Sequence, residues 1–234
     1  MRAWAVIAAG GSGRRMETNI SKQLLKLDGA TILERTLKPF MNNSGIDGII
    51  IVAAEEIIEH INSIISAFPN ELKNISIIKG GSERQDSVWN GLCAVPDDVE
   101  IIVIHDAVRP FITSKLITEC IDSAFEHGAV TVMRPLKETV KVVSNGVIVN
   151  TPDRSSLWST QTPQAFRTEL ICEAHSRARA EGFTGTDDCM LVERLGHPVH
   201  IIEGDDFNIK ITTQSDMKIA EVILNFLETG RKNA

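Results

Sequence analysis

The chain has 234 residues, 43% of them hydrophobic, with a formal net charge of -7 at pH 7; that length suits one α/β domain with a small excursion and can bury a full core. The acidic balance argues against a protein that coats nucleic acid, because such binding needs clustered Lys and Arg over many phosphates. No apolar run approaches the ~20 residues that span a bilayer, and Cys93, Cys120, Cys172 and Cys189 lie far apart without a C-x-x-C pair, so no membrane partner, zinc site or disulfide framework is expected.

Met1 leads almost directly into an apolar run, Trp4 to Ala9, rather than into a charged and apolar leader, which predicts an unprocessed cytoplasmic protein. Further short runs suited to buried strands are Ile49 to Ala53, Ile75 to Ile78, Ile101 to Ile104, Ala129 to Met133 and Pro198 to Ile202. Helical spacing stands between them at Ile32, Leu33, Thr36, Leu37 and Phe40, at Ile57 to Ile65, at Leu170 to Arg179, at Thr186 to Leu195 and at Ser215 to Leu227. Alternating strands and helices predict an α/β fold, a mostly parallel sheet with helices on both faces.

Thr139 to Asn150 breaks the rhythm. Val140, Val142 and Val143 precede Ser144-Asn145-Gly146, and Val147, Ile148 and Val149 follow. Asn-Gly is a favoured two-residue hairpin turn because both positions tolerate positive φ. A lone hairpin is marginal in water, so this one needs a cover, either a second subunit or its own domain. The expected organisation is one domain over 1–234 with a hairpin arm at about 136–156; with little beyond the last helix, a single activity is expected.

Ala8-Ala9-Gly10-Gly11-Ser12-Gly13-Arg14-Arg15-Met16 follows the first strand. Glycines let such a loop take positive φ and turn its N–H groups onto an anion. It lacks the G-K-[ST] end of a Walker loop, and Met16 stands where a dinucleotide fingerprint has its third glycine. Instead Arg14, Arg15, Lys22 and Lys26 gather near it. Planar guanidinium groups with a mobile ammonium suit a small polyanion such as a triphosphate; a solvated basic loop is the bland alternative.

His105-Asp106-Ala107-Val108-Arg109-Pro110 ends a buried strand, where open α/β sheets gather ligands. Asp106 is placed to meet a ribose hydroxyl or a hydrated metal ion, or else to pair with Arg109 across a turn, and His105 reads as a satisfied strand-end histidine. Gly80-Gly81-Ser82-Glu83-Arg84-Gln85-Asp86-Ser87 allows close approach to a flat base, with Ser87 adding a hydroxyl, or is a turn with Ser82 as N-cap. Thr186 reads equally as an N-cap. Lys210, between Ile209 and Ile211 in what reads as a short strand, either snorkels to solvent or faces an anion.

These blocks, with Lys22-Gln23, Asp153-Arg154, Leu157-Trp158, Thr162-Pro163-Gln164, Thr186-Asp187 and Asn208-Ile209-Lys210 in the same order, make the chain resemble the 2-C-methyl-D-erythritol 4-phosphate cytidylyltransferases of the non-mevalonate isoprenoid pathway. The resemblance runs nearly end to end and implies a Rossmann-like nucleotidyltransferase fold, CTP and a small polyol phosphate as substrates, and Mg²⁺ or another divalent cation. It implies that Arg15 and Lys22 stabilise the transition state while Arg154 and Lys210 position the attacking phosphate. Ala8, Ala9, Gly10, Gly11, Gly13, Gly81, Ser82, Ser87, Asp106 and Ala107 would hold CTP, with Asp106 near the metal. Arg109, Thr139, Arg154, Thr162, Thr186 and Lys210 would hold the acceptor, and Thr139 and Arg154 would reach the neighbouring subunit's site in a homodimer. Ser82 departs from the acidic residue of some relatives. A cytidylyltransferase for another polyol phosphate, such as ribitol 5-phosphate, is the nearest rival; a dinucleotide-dependent oxidoreductase and a non-catalytic nucleotide sensor are more distant ones.

Overall fold

The computed structural model describes residues 1–11, 21–68 and 74–232. In chain order the elements are β1 (Ala3–Ala9), β2 (Lys26–Leu27), β3 (Ala30–Thr31), α1 (Ile32–Met41), β4 (Gly48–Ala53), α2 (Ile58–Ser66), β5 (Asn74–Lys79), α3 (Arg84–Cys93) and β6 (Ile101–Asp106). Then follow α4 (Ser114–His127), β7 (Ala129–Pro135), β8 (Val142–Ser144), β9 (Val147–Asn150), β10 (Trp158–Arg167), α5 (Thr168–Ala180), α6 (Asp188–Arg194), β11 (His200–Glu203) and α7 (Gln214–Lys232).

Among the described residues the strands form a seven-stranded sheet in the order β11-β7-β10-β6-β1-β4-β5. Every pairing in it is parallel except those of β10, which runs antiparallel to β6 and β7. The period of two along a strand divides the core between two faces. On β1, Ala3, Ala5, Ile7 and Ala9 pack with Leu37, Phe40, Ile61, Ile117 and Ile121 from α1, α2 and α4. Trp4 and Val6 face the other way, towards Val88 and Leu92 of α3, Ile171 of α5 and Val192 of α6. A third cluster, Leu27, Ile32, Val108, Ile211, Ala220 and Leu224, seats α7 beside the strand ends.

Local chemistry sets the boundaries. At α1, the Thr31 hydroxyl accepts the Glu34 N–H at 3.1 Å while the Glu34 carboxylate accepts the Thr31 N–H, a capping box. At the hairpin, Asn145 and Gly146 have φ of 50° and 78°, the twist that a two-residue turn needs.

Three expectations need correction. No strand forms around Lys210; Ile211 instead donates its N–H to Val108 O at 2.9 Å within an irregular segment. The N-cap of α3 is Glu83 rather than Ser82, and that of α6 is Asp187 rather than Thr186. Gly10 and Gly11 do not use positive φ; a Cβ at Gly10 would lie 3.2 Å from Ser87 Oγ, so glycine there lets that hydroxyl sit close to the backbone. Among the elements not anticipated, β10 has polar residues on its buried positions, whereas α4 does carry helical spacing, with Leu116, Ile117, Cys120, Ile121 and Ala124 buried. Among the described residues no helix is long and apolar enough to cross a membrane.

Candidate active site

The carboxyl ends of β1, β5 and β6 converge on a cleft of about 350 Å³. Ala8, Ala9, Gly10, Gly11, Gly81, Ser82, Ser87, Asp106 and Ala107, all expected to hold a nucleotide, line it together with Lys22, Arg84 and Lys210. An adjoining cleft of about 280 Å³ brings together Arg109, Thr162, Thr186 and Lys210, the residues expected to meet an acceptor, with Gln161, Gln164 and Asp187. Arg84, Asp106 and Lys210 belong to both clefts.

Hydrogen bonds explain how the chain holds this shape. Buried Gln23 donates from Nε2 to Ala9 O at 2.7 Å, tying the short turn that carries Lys22 to the end of β1. Ser87 Oγ accepts the Gly81 N–H at 3.1 Å and donates to Glu83 O at 3.0 Å, so the Gly80-Gly81 turn sits directly on the first turn of α3. Asn208 Nδ2 donates to Gln161 Oε1 at 3.1 Å and to Thr162 O at 2.9 Å, while its backbone oxygen accepts from Arg109 Nη1 at 2.8 Å. That clamp fixes the segment carrying Lys210 against β10.

Asp106 is the electrostatic centre. Its carboxylate lies 3.3 Å from Arg84 Nε, 3.4 Å from Arg109 Nε and 2.9 Å from Lys210 Nζ. Burial alone would raise its pKa, but Arg84, Lys210 and Arg109 together hold it far below the usual carboxylate range. Arg84 also meets the buried Asp188 at 2.8 Å. Arg84, Arg109 and Lys210 stand there against Asp106, Asp187 and Asp188, so the cations are balanced by carboxylates and meet an incoming phosphate by exchanging those contacts for it.

His105 is spent on structure, as its position suggested. Thr162 Oγ1 accepts the Asp106 N–H at 3.1 Å and lies 3.0 Å from His105 Nδ1, while Nε2 faces Arg109 O at 3.3 Å. A neutral ring satisfies both contacts, and burial pushes its pKa down to about 3.

The hairpin residues behave differently. Thr139 and Arg154 line neither cleft of their own chain; both are exposed, and Arg154 Nη1 donates to Lys137 O at 3.2 Å. Gly13 and Arg15 lie outside the described residues. Arg84, Asp188, Gln23 and Asn208 had no expected role, although each lies within two residues of an expected site residue. The signal available was a buried polar cluster, which only the fold assembles.

The model of the 2-C-methyl-D-erythritol 4-phosphate cytidylyltransferase family matches residues 3–226. The chain belongs to this family. An enzyme of that description from Geobacter metallireducens is 45% identical over 96% of this chain and 98% of its own length. One from Clostridioides difficile is 42% identical over 98% and 96%. Among solved structures, the 4-diphosphocytidyl-2C-methyl-D-erythritol synthase of Anaerococcus prevotii superposes with a TM-score of 0.86 at 32% identity, covering 96% of each chain.

Proposed function

We infer that this chain transfers CMP from CTP to 2-C-methyl-D-erythritol 4-phosphate, releasing pyrophosphate and giving 4-diphosphocytidyl-2-C-methyl-D-erythritol for isoprenoid synthesis. Family membership supports this reaction. The observation that carries the mechanism is the pair of adjoining clefts sharing Arg84, Asp106 and Lys210. CTP occupies the cleft at the end of β1, and the sugar phosphate occupies the one beside β10.

A phosphate monoester is already ionised at neutral pH, so its oxygen attacks the α-phosphorus without a general base. Catalysis then reduces to alignment and charge stabilisation. Lys22 and Arg15 stabilise charge on the triphosphate, and Lys210 leaves Asp106 to meet the acceptor phosphate. Arg109 stays on Asp106 and keeps that carboxylate balanced when Lys210 moves, while Thr186 offers its hydroxyl to the polyol and Thr162, its hydroxyl held between His105 and the Asp106 N–H, shapes the cleft wall.

Asp106 fits a divalent cation that arrives on the triphosphate, since the carboxylate is ionised at the cleft wall while, among the described residues, no group of three acidic, His or Cys side chains forms a cage. A bound Mg²⁺ would neutralise charge on the leaving pyrophosphate.

The enzyme works as a homodimer in the cytoplasm. Val142, Val143, Val147, Ile148 and Val149 are 44–64% exposed on the hairpin, a surface that calls for cover by a second chain. Thr139 and Arg154 then enter the partner's acceptor cleft. The free state of all four cysteines fits a reducing compartment.

The test is a pyrophosphate-release screen of four nucleoside triphosphates against 2-C-methyl-D-erythritol 4-phosphate and ribitol 5-phosphate. Turnover is expected only with CTP and the erythritol. Preference for ribitol 5-phosphate, or release without any acceptor, would refute the assignment.

A further inference from the structure

Of the three side chains common to both clefts, Asp106 is an anion and Lys210 already has a partner in the reaction proposed above. Arg84 has none. Its guanidinium is gripped from two sides, with Nε 3.3 Å from Asp106 Oδ1 and Nη1 2.8 Å from Asp188 Oδ2. A guanidinium carries five N–H donors, and these contacts engage only part of that set. The side chain remains about 30% exposed, at the junction of the two clefts.

The support behind it is buried. Asp188 is 1% exposed, its Oδ1 lies 3.1 Å from His175 Nε2, and its backbone N–H donates to Gln164 Oε1 at 3.1 Å. Trp89 stacks on the His175 ring with centroids 6.3 Å apart. Burial would weaken the hold of Arg84 on its proton, but Asp188 and then Asp106 raise its pKa above the ordinary arginine value. A cation aimed before the substrate arrives needs no reorganisation as charge develops, which is the condition for strong transition-state stabilisation. Asp188 cannot touch a ligand itself; it can only act by orienting Arg84.

We propose that Arg84 is a further catalytic residue, donating to non-bridging oxygens of the α-phosphate as it is transferred, with Asp188 and His175 as its positioning residues. In that step a bond forms between the acceptor phosphate oxygen and the α-phosphorus. The bond from that phosphorus to the bridging oxygen breaks, and pyrophosphate leaves with the electron pair. Arg84 keeps its proton throughout. The proposal rests on the assignment of the two clefts to CTP and the acceptor.

The experiment uses the full chain and compares CTP with each diastereomer of its α-thio analogue. Arg84→Ala is expected to lower kcat by about 10²-fold while both KM values stay within about threefold, the pattern of a contact made chiefly in the transition state. The preference between the thio diastereomers should shift, because only one non-bridging position is replaced in each. Arg84→Lys carries the same comparison if the alanine variant does not fold. Asp188→Asn should move the diastereomer preference in the same direction with a smaller loss of kcat, measured on protein whose thermal midpoint shows it folded. An equal loss on CTP and both analogues, or a wild-type kcat in Arg84→Ala, would overturn the role. A wild-type enzyme that releases no pyrophosphate from CTP and the erythritol phosphate would instead sink the underlying assignment, so the two failures are separable.

Discussion

The junction of the two clefts and the β8–β9 hairpin are opposite solutions to placing chemistry on a chain. At the junction, Asp106 is buried and surrounded by Arg84, Arg109 and Lys210, each within 3.4 Å. On the hairpin, every residue of β8 and β9 is exposed, including a run of Val and Ile. The first region satisfies its charges within one chain. The second leaves apolar surface uncovered and presents Thr139 and Arg154 outside the two clefts described for the same chain. The buried ionic centre is thus assembled within one chain, whereas the apolar side chains of the arm stay exposed on it.

The sharpest attack on this contrast removes a charge from the cleft beside that ionic centre. Lys22→Ala should lower kcat by about 10²-fold or more without changing the oligomer, because one preorganised donor is lost; a wild-type rate would discard its role.

Next comes the arm. Ile148→Asp should convert a dimer to monomers in sedimentation and lose most activity, and persistence as an active dimer would break the comparison. A mixture of Lys22→Ala and Arg154→Ala subunits should regain about a quarter of wild-type activity, since half the dimers would be mixed and each would hold one intact site. No recovery would place Arg154 outside a shared site.

Acid probes the buried region by stability. The unfolded chain takes up a proton on His105 near pH ~6.5, whereas the folded ring resists it down to about pH 3. Stability is therefore full above that upper pH and declines as the pH falls between the two values. Asp106, with its pKa depressed, adds a loss of the same sign at lower pH, below the ordinary carboxylate value. Urea unfolding at neutral and mildly acidic pH should show this slope, and His105→Gln should flatten it. The smallest effect expected is at the α1 cap, where Thr31→Ala should cost about 1 kcal/mol in the same assay and leave kcat unchanged.

Much of the fold was legible because its signals are local. The apolar runs of β1, β4 and β6 announced buried strands, and Asn145-Gly146 announced the hairpin turn. Strand β10 escaped notice because Gln161, Thr162 and Gln164 are polar yet buried; they line a cleft and hold its walls instead of feeding an apolar core. The expected strand at Lys210 failed for a related reason. Ile211 is buried by α7 and bonded to Val108, not to a neighbouring strand, which leaves Lys210 free of a ladder and able to reach Asp106.

By itself the sequence determined which segments alternate, where the turns fall and which cations and hydroxyls are available, because periodicity and turn chemistry act over a few residues. Only the tertiary structure decided that Arg84 and Asp188, 104 positions apart, would meet, and that Asp106 would gather three cations. Pairings between distant charges depend on how strands are ordered and how deeply side chains are removed from water, and neither is written in local spacing.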